Sequence, residues 1–443
     1  MIKQIVKRDG RLVPFNRDKI TFAVLQAAVA VGGRDRATAE SVTGDVIRLL
    51  EAREEVNSTP TVEEVQDLVE KTLIERGHAR TAKAYIVYRY EHALKRAGRK
   101  SATYSSDNIP YFKLWEALAW SVDNRCVTLD QIAASITEGR FPELIEAAES
   151  FYAYELEKAA ENLRERLPEA RMIIIAGPSS SGKTTTTIKI GEHLSKEGYS
   201  LVPINVDNYF LDLADHPQDA SGDYDFETPQ ALDLSLINRD LNSLLAGKSI
   251  QVPFYNFKTG KREGSSGELA LGEKEILLID SLHGLFPEMT GNIPAEKKFK
   301  LYIETLSQVK DKNHRFIRWA DIRLLRRMVR DMQFRSYSPK DTIRHWHFVR
   351  RSELRYIVPR LREADATVNS FLPYELPVMK RRLGSFFPEF IAEFAADRER
   401  ADAYERACRV QAIFEEIPVW DDDKVVPADS LLREFIGGSS YTY

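Results

Sequence analysis

Apolar positions recur at helical spacing through the first part of the chain and give way to short unbroken apolar runs from residue 172 onward. Residues 2–15 alternate around Asp9-Gly10, a dipeptide suited to the tight turn of a two-stranded hairpin. Helices are predicted over 18–31, where Ile20, Ala23, Val24 and Ala27 share a face, and over 37–50, 61–74 and 81–95. Thr61 with Glu64 forms a capping box at the start of the third. Residues 97–108, rich in Lys, Ser and Gly, read as a linker. Between 110 and 166 the helical period returns, with Leu114, Trp115, Leu118, Ala119 and Val122 on one face and a later stripe through Leu144, Ala147, Phe151 and Leu156. At that spacing aromatic residues serve packing, so this stretch is a helical connector. The runs 172–176, 201–207, 275–280, 299–304 and 366–369 then alternate with helical segments, which implies an α/β domain whose mostly parallel sheet is covered by helices on both faces. Beyond 383, a helix through Phe390, Phe394 and Tyr404 and a stretch ending Leu431 to Gly438 form a tail expected to dock on that domain. The division is therefore 1–97, 98–168, 169–383 and 384–443.

Where the first of those runs ends, the residues Gly177, Pro178, Ser179, Ser180, Ser181, Gly182, Lys183 and Thr184, followed by Thr185, make a complete phosphate-binding loop. A buried strand turning sharply into a helix aims free loop N–H groups and the positive helix end at one point, where a triphosphate can sit. Gly177 and Gly182 permit the tight path, Lys183 reaches the β- and γ-phosphates, and the Thr184 hydroxyl is placed to hold Mg²⁺. The bland alternative, a Ser/Gly turn matching by chance, lacks the strand before and the helix after.

At 443 residues the chain is long for one core and suggests roughly two to four domains. Lys plus Arg number 63 against 67 Asp plus Glu, a formal charge of −4, so nothing drives the chain as a whole toward nucleic acid or an acidic membrane surface. Cys126 and Cys408 lie far apart and lack a metal-type spacing, so neither a disulfide framework nor a zinc site is indicated. No signal core opens the sequence, and no apolar run approaches the roughly 18–20 residues that span a bilayer, so a reducing cytoplasm is the expected location.

In a sheet of this kind ligands sit beyond the carboxyl ends of the strands. Asp207, in V-D-N-Y-F, ends the second strand and can take the proton of an attacking hydroxyl, whereas its bland reading is an Asx cap on the following turn. Asp280 ends the next buried strand, where a charge is expensive unless used, and can hold Mg²⁺. Arg323, Arg326, Arg327, Arg330 and Arg335 fall on one helical stretch and cannot all face the core; some are a solvated face, and several converging on phosphate would supply a positive clamp.

The segments G-P-S-S-S-G-K-T, V-D-N-Y-F, F-E-T-P-Q-A-L-D, F-Y-N-F-K-T-G-K-R, I-D-S-L-H-G and R-L-L-R-R-M-V-R-D resemble the uridine kinase and phosphoribulokinase family of P-loop kinases from about residue 170 to 380. The resemblance implies Asp207 as catalytic base, Lys183 and Thr184 on ATP and Mg²⁺, and Asp280 in place of a metal-associated Glu. It also implies Glu227 on ribose hydroxyls, Tyr255 by the base, Tyr209 and Arg262 at the substrate, and Arg330 and Arg335 as lid arginines on the phosphates. One departure stands out: Gly260 occupies the place of the histidine that bonds the pyrimidine edge, and a lost donor weakens rejection of the wrong base. His283 is an imaginable substitute, although a lone His is more often structural. The tail R-E-F-I-G-G-S-S resembles that of a bacterial uridine-kinase-like subgroup.

Residues 2 to about 96, with V-K-R-D-G-R-L-V-P-F-N-R-D-K-I and Y-R-Y-E-H, resemble an ATP-cone, a regulatory nucleotide-binding module. That match implies Lys7, Arg8, Asn16 and Lys19 on a nucleotide with Thr61 nearby; two adjacent cations at a turn offer a polyphosphate site without a P-loop, and an ordinary solvated hairpin is the alternative. The expectation is an ATP- and Mg²⁺-dependent kinase phosphorylating a ribose-type hydroxyl, the 5′-hydroxyl of a nucleoside first. The cone would sense ATP or dATP and couple through a change of homo-oligomer. A sugar or sugar-phosphate kinase and a regulatory ATP-binding switch are the other readings; Asp207 separates the switch from the kinases, since a switch needs no acceptor base. Neither nucleic acid nor a membrane is an expected partner.

Overall fold

The structure is a computed structural model that describes the chain apart from residues 1, 3, 7–11, 34, 53–58, 79, 87–109, 218–225, 227, 396, 398–399 and 443. The predicted turn at Asp9-Gly10, the linker 97–108 and most of the helix expected over 81–95 lie outside the described residues, with 80–86 helical.

Two compact units emerge, residues 1–105 and 106–443. In the first, β1 (Gln4–Val6) and β2 (Leu12–Pro14) pair antiparallel with Ile5 opposite Val13. Three helices follow, α1 (Arg17–Ala30), α2 (Arg36–Glu51) and α3 (Val62–Glu75). Each starts where a side chain satisfies a free helical N–H: Asn16, Asp35, and the Thr61–Glu64 capping box. Ile20, Val24 and Ala27 of α1 recur at helical spacing and close a core with Val42, Val46, Val65, Val69 and Leu73. The Val6 N–H donates to the Pro60 carbonyl at 2.9 Å, tying the hairpin to the start of α3.

The second unit opens with α4 (Tyr111–Asp123), α5 (Leu129–Thr137) and α6 (Phe141–Arg164). The face of α4 turned inward differs from the predicted one. Ala117 and Ser121 are buried, whereas Trp115 and Val122 are exposed. Lys113 is drawn toward the buried Glu155 of α6 at 2.8 Å and Glu116 toward Lys158 at 3.1 Å, which rotates the helix away from its apolar stripe.

Five parallel strands then assemble in the order β4-β7-β3-β8-β9: β3 (Met172–Ala176), β4 (Ser200–Ile204), β7 (Glu275–Asp280), β8 (Lys298–Glu304) and β9 (Ala366–Asn369). Strand alternation splits the core. Ile173 and Ile175 pack with Ile276, Leu278, Leu301 and α6, while Met172, Ile174 and Ala176 pack with Leu277, Ile279, Tyr302 and α8 (Leu234–Leu245) on the opposite face. Each fully buried Ile of β3 contributes about 1.5–3 kcal/mol of apolar burial. The connector α6 and the tail residues Leu431, Leu432 and Phe435 share the first of these cores, so the segments divided at 168 and 383 on sequence form one compact unit.

One element was not anticipated: β5 (Ile250–Asn256) and β6 (Lys261–Leu269) form a separate antiparallel hairpin. Its signal was present as Thr259-Gly260 between alternating stretches, with Gly260 at φ +68°. The remaining helices are α7 (Lys183–Ser195), α9 (Trp319–Phe334), α10 (Pro339–Ser352), α11 (Glu375–Leu383), α12 (Phe387–Phe394), α13 (Ala401–Glu416) and the short α14 (Arg433–Ile436).

Candidate active site

Parallel register brings the strand ends to one edge. Ile175 stands opposite Asp280 and Ala176 opposite Tyr302, so the loop leaving β3 emerges between the ends of β7 and β8. Gly182 takes φ +91° as the residue before α7, and any Cβ there would meet Leu431 at 2.4 Å. The same test at Gly177 places a Cβ 2.3 Å from the Ile303 carbonyl. The Ile303 backbone at Gly177 and the left-handed φ at Gly182 both favour glycine, and the two positions set the curve of the loop.

Lys183 is the first residue of α7, and its Nζ donates to the carbonyls of Gly177 at 3.1 Å and Pro178 at 3.3 Å. Burial pushes its pKa down, while Asp280 and then Glu434 oppose that shift. The Thr184 side chain faces solvent. Ser179 is held from three sides. Its N–H donates to Glu353 at 3.2 Å, its carbonyl accepts from Arg323 at 3.0 Å, and its hydroxyl accepts from Arg327 at 3.1 Å.

Of the five arginines on that helical stretch, two are buried and spoken for. Arg323 pairs with Glu304 at 2.8 Å and Glu353 at 2.5 Å, and Arg326 pairs with Glu375 at 2.6 Å. Burial works to lower the Arg323 pKa, but the two carboxylates hold it above the usual range. Arg330 lies close enough to Lys183 to depress its pKa, and its own falls through burial and the neighbouring Arg335. Arg335 is largely exposed and sits 3.6 Å from Asp331.

β4 stops at Ile204, and Asp207 lies one turn later on a 3-10 turn over Val206–Tyr209. Asn205 caps that turn by accepting from the Asp207 N–H at 3.0 Å. The Asp207 carboxylate is therefore free of the capping role, and among the described residues it has no hydrogen bond or ion pair. Desolvation raises its pKa. Asp280 is raised by burial, with Lys183 opposing and Glu434 and Asp207 adding to the rise. Lys183, Asp280, Asp207 and Glu434 thus share one electrostatic neighbourhood.

The expected substrate residues divide. Tyr209 is 1% exposed, and its hydroxyl donates to Asp240 of α8 at 3.1 Å, so it faces the core and not the cleft. Arg262 donates to Asp233, the residue capping α8, at 3.0 Å, and so braces the β5–β6 hairpin. Tyr255 lies in an aromatic cluster, with Phe210 at 5.5 Å and Phe257 at 4.9 Å between ring centroids, and its buried hydroxyl has no partner among the described residues. Glu227 lies outside the described residues.

Sequence reasoning missed His216, whose ring joins that cluster 6.3 Å from Tyr255 at an interplanar angle of 15° and 4.6 Å from Phe226. The signal was weak, an isolated H-P dipeptide in a polar stretch. Gly260 packs against Leu213, where a Cβ would come within 2.9 Å of the leucine Cβ. His283 is buried against Tyr356 at 5.9 Å.

In the first unit, Asn16 accepts from the Asp18 N–H at 2.9 Å, Thr61 accepts from the Glu64 N–H at 3.2 Å, and Lys19 is exposed. Lys7 and Arg8 lie outside the described residues.

Residues 172–375 match the model of the Phosphoribulokinase / Uridine kinase family, and residues 3–94 match the ATP cone domain. A uridine kinase of Deinococcus deserti is 28% identical over 198 residues, 44% of this chain and 86% of that protein. Uridine-cytidine kinase B of Dictyostelium discoideum is 26% identical over 198 residues, 44% of this chain and 73% of that protein. A uridine kinase of Brevibacillus brevis is 26% identical over 221 residues, 49% of this chain and 94% of that protein.

Proposed function

The chain joins an ATP-cone domain to a domain of the phosphoribulokinase and uridine kinase family, phosphotransferases acting on an alcohol group, and from that premise we propose that it transfers the γ-phosphoryl group of ATP to the 5′-hydroxyl of a nucleoside. The observation that carries this reading is Asp207. Its carboxylate is unpartnered among the described residues, partly desolvated, and electrostatically coupled to Asp280 beside Lys183.

In this reading the phosphates lie on the N–H groups of the loop and the start of α7, and Lys183 turns from the Gly177 and Pro178 carbonyls to the β- and γ-phosphates. Arg330 adds positive charge at the transferred group. The exposed Thr184 hydroxyl and the Asp280 carboxylate are hard oxygen donors, and one or two such ligands beside substrate phosphates suit Mg²⁺. When bound, that ion neutralises charge developing on the phosphoryl oxygens. Asp207 accepts the acceptor's hydroxyl proton as the oxygen–phosphorus bond forms and the bond to the bridging β–γ oxygen breaks, releasing ADP. The exposed ring of Phe257 offers a face for a planar base, backed by the buried rings of Tyr255, Phe210 and His216, and the Tyr255 hydroxyl is the polar group that cluster would turn toward it. Tyr209 and Arg262 support these groups from behind.

The deciding experiment incubates purified protein with ATP, Mg²⁺ and either nucleosides or pentose phosphates, reading ADP release and the phosphorylated product. A nucleoside 5′-monophosphate is expected. Turnover with pentose phosphates alone would favour the sugar-phosphate reading, and ADP release indifferent to every acceptor would favour an ATP switch. In the same proposal the cone binds ATP or dATP through Lys7, Arg8, Asn16 and Lys19 near Thr61. Calorimetry should then count two nucleotide sites in the full chain and one after Lys7→Ala with Arg8→Ala.

A further inference from the structure

The C-terminal segment reaches into the phosphate site. Leu431 fills the space over Gly182, so close that a side chain there would collide with it. Three residues on, the buried Glu434 accepts the Thr185 N–H at 3.1 Å and the Thr185 hydroxyl at 2.8 Å. Thr185 directly follows Lys183 and Thr184 in the first turn of α7, where backbone N–H groups have no helical acceptor of their own.

The segment is anchored at both ends. Ser430 donates to Glu149 of α6 at 2.6 Å, Asp429 pairs with Lys189 of α7 at 2.8 Å, and Phe435 lies under the Arg326 guanidinium at 5.3 Å. Farther out, Tyr441 donates to Glu192 at 3.2 Å. Glu434 is thus fixed from its flanks, and its charge is felt by Lys183, Asp280 and Arg330. Satisfying Thr185 alone would need only a neutral acceptor. A buried carboxylate among two cations and a second carboxylate also sets the charge that an incoming polyphosphate meets.

We propose that Glu434 is a positioning residue of the nucleotide site, holding the turn that carries Lys183 and Thr184 and supplying a negative charge that makes the site select metal-complexed over metal-free nucleotide. The assignment rests on the phosphotransfer reading of the loop. It makes the C-terminal segment a wall of the active site, contributed from 249 residues away in sequence.

Full-length wild type, Glu434→Gln and Glu434→Ala separate the two roles, because Gln keeps an acceptor for Thr185 and loses the charge. Isothermal calorimetry with ADP, with and without Mg²⁺, is read beside kcat, KM for ATP and Tm. Both variants should bind metal-free ADP several-fold more tightly and gain less from Mg²⁺, since a repelling charge has gone. Glu434→Ala should also lose about ten- to a hundredfold in kcat/KM through misplacement of the turn, and Glu434→Gln should lose less. Wild-type metal selectivity in both variants, or losses that only track a fall in Tm, would overturn the assignment. A wild type that binds ADP but phosphorylates no acceptor would sink the kinase reading instead, with the ADP affinities still deciding the role of Glu434.

Discussion

The two ends of the cleft are built by opposite means. At the phosphate end, Ser179 is held by Glu353, Arg323 and Arg327, Thr185 by Glu434, and the two glycines of the loop touch backbone or Leu431. At the end proposed to take the acceptor, Asp207 stands unpaired among the described residues, Phe257 is exposed, and the cluster around Tyr255 is held by ring contacts. A phosphate is the same in every ATP, so its cradle can be rigid and paid for with buried ion pairs. The acceptor must be admitted and desolvated, so its residues are held by weaker contacts that can adjust.

Removing the group where the two ends meet should have the largest consequence. Asp207→Asn is expected to lower kcat by about 10²–10⁴-fold, the usual contribution of a positioned base, and to leave KM for ATP within a few-fold. Desolvation raises the Asp207 pKa, and the base works only when deprotonated, so wild-type kcat should climb with pH through an acid limb above the ordinary aspartate range. That limb should vanish in the variant. Initial rates across pH decide the matter, and an active Asp207→Asn would end the assignment of a base.

Rigidity at the phosphate end is tested by stability. Arg323→Ala removes the ion pair of the buried Glu304 and leaves Glu353 with Arg350 as its cation, which should cost about 3–5 kcal/mol in denaturant unfolding. Phe257→Ala at the exposed acceptor rim should cost less than about 1 kcal/mol. Equal losses would erase the contrast between the ends.

The contrast also explains what the sequence could reveal. The phosphate loop was legible because its residues are contiguous and flanked by a strand and a helix, and Asp280 because it closes an apolar run. The partners that hold the loop were not. Glu353 lies 174 residues from Ser179 and Glu434 lies 249 from Thr185, so only the packed fold brings them in. Arg323 and Arg326 looked like part of a solvated face for the same reason, since their carboxylates come from β8, the end of α10 and α11. At the acceptor end, His216 was illegible because a lone histidine carries no spacing. The resemblance put Tyr209 at the substrate, but a matching motif does not say which way a side chain turns once the 3-10 turn begins at Val206, and here it turns to Asp240.

The residues proposed to read the acceptor should move the acceptor terms alone. His216→Ala and Tyr255→Phe are each expected to raise KM for the nucleoside about tenfold, the scale of one polar or stacking contact, with KM for ATP unchanged. A parallel rise in both constants would mean that the cluster supports the fold and does not read the acceptor.

The smallest effect is expected at Arg335. Its guanidinium is 58% exposed and its ion pair with Asp331 spans 3.6 Å, a geometry in which surface pairs contribute about 0–1 kcal/mol. Arg335→Ala should therefore leave Tm unchanged within error. If Arg335 swings onto the phosphates only when nucleotide is bound, kcat should still fall by a few-fold while the affinity for ADP holds, because the interaction would be made with the transferred group. Unchanged kcat and KM would assign phosphate neutralisation to Lys183 and Arg330, and would confine the rigid end of the cleft to groups already buried before ATP arrives.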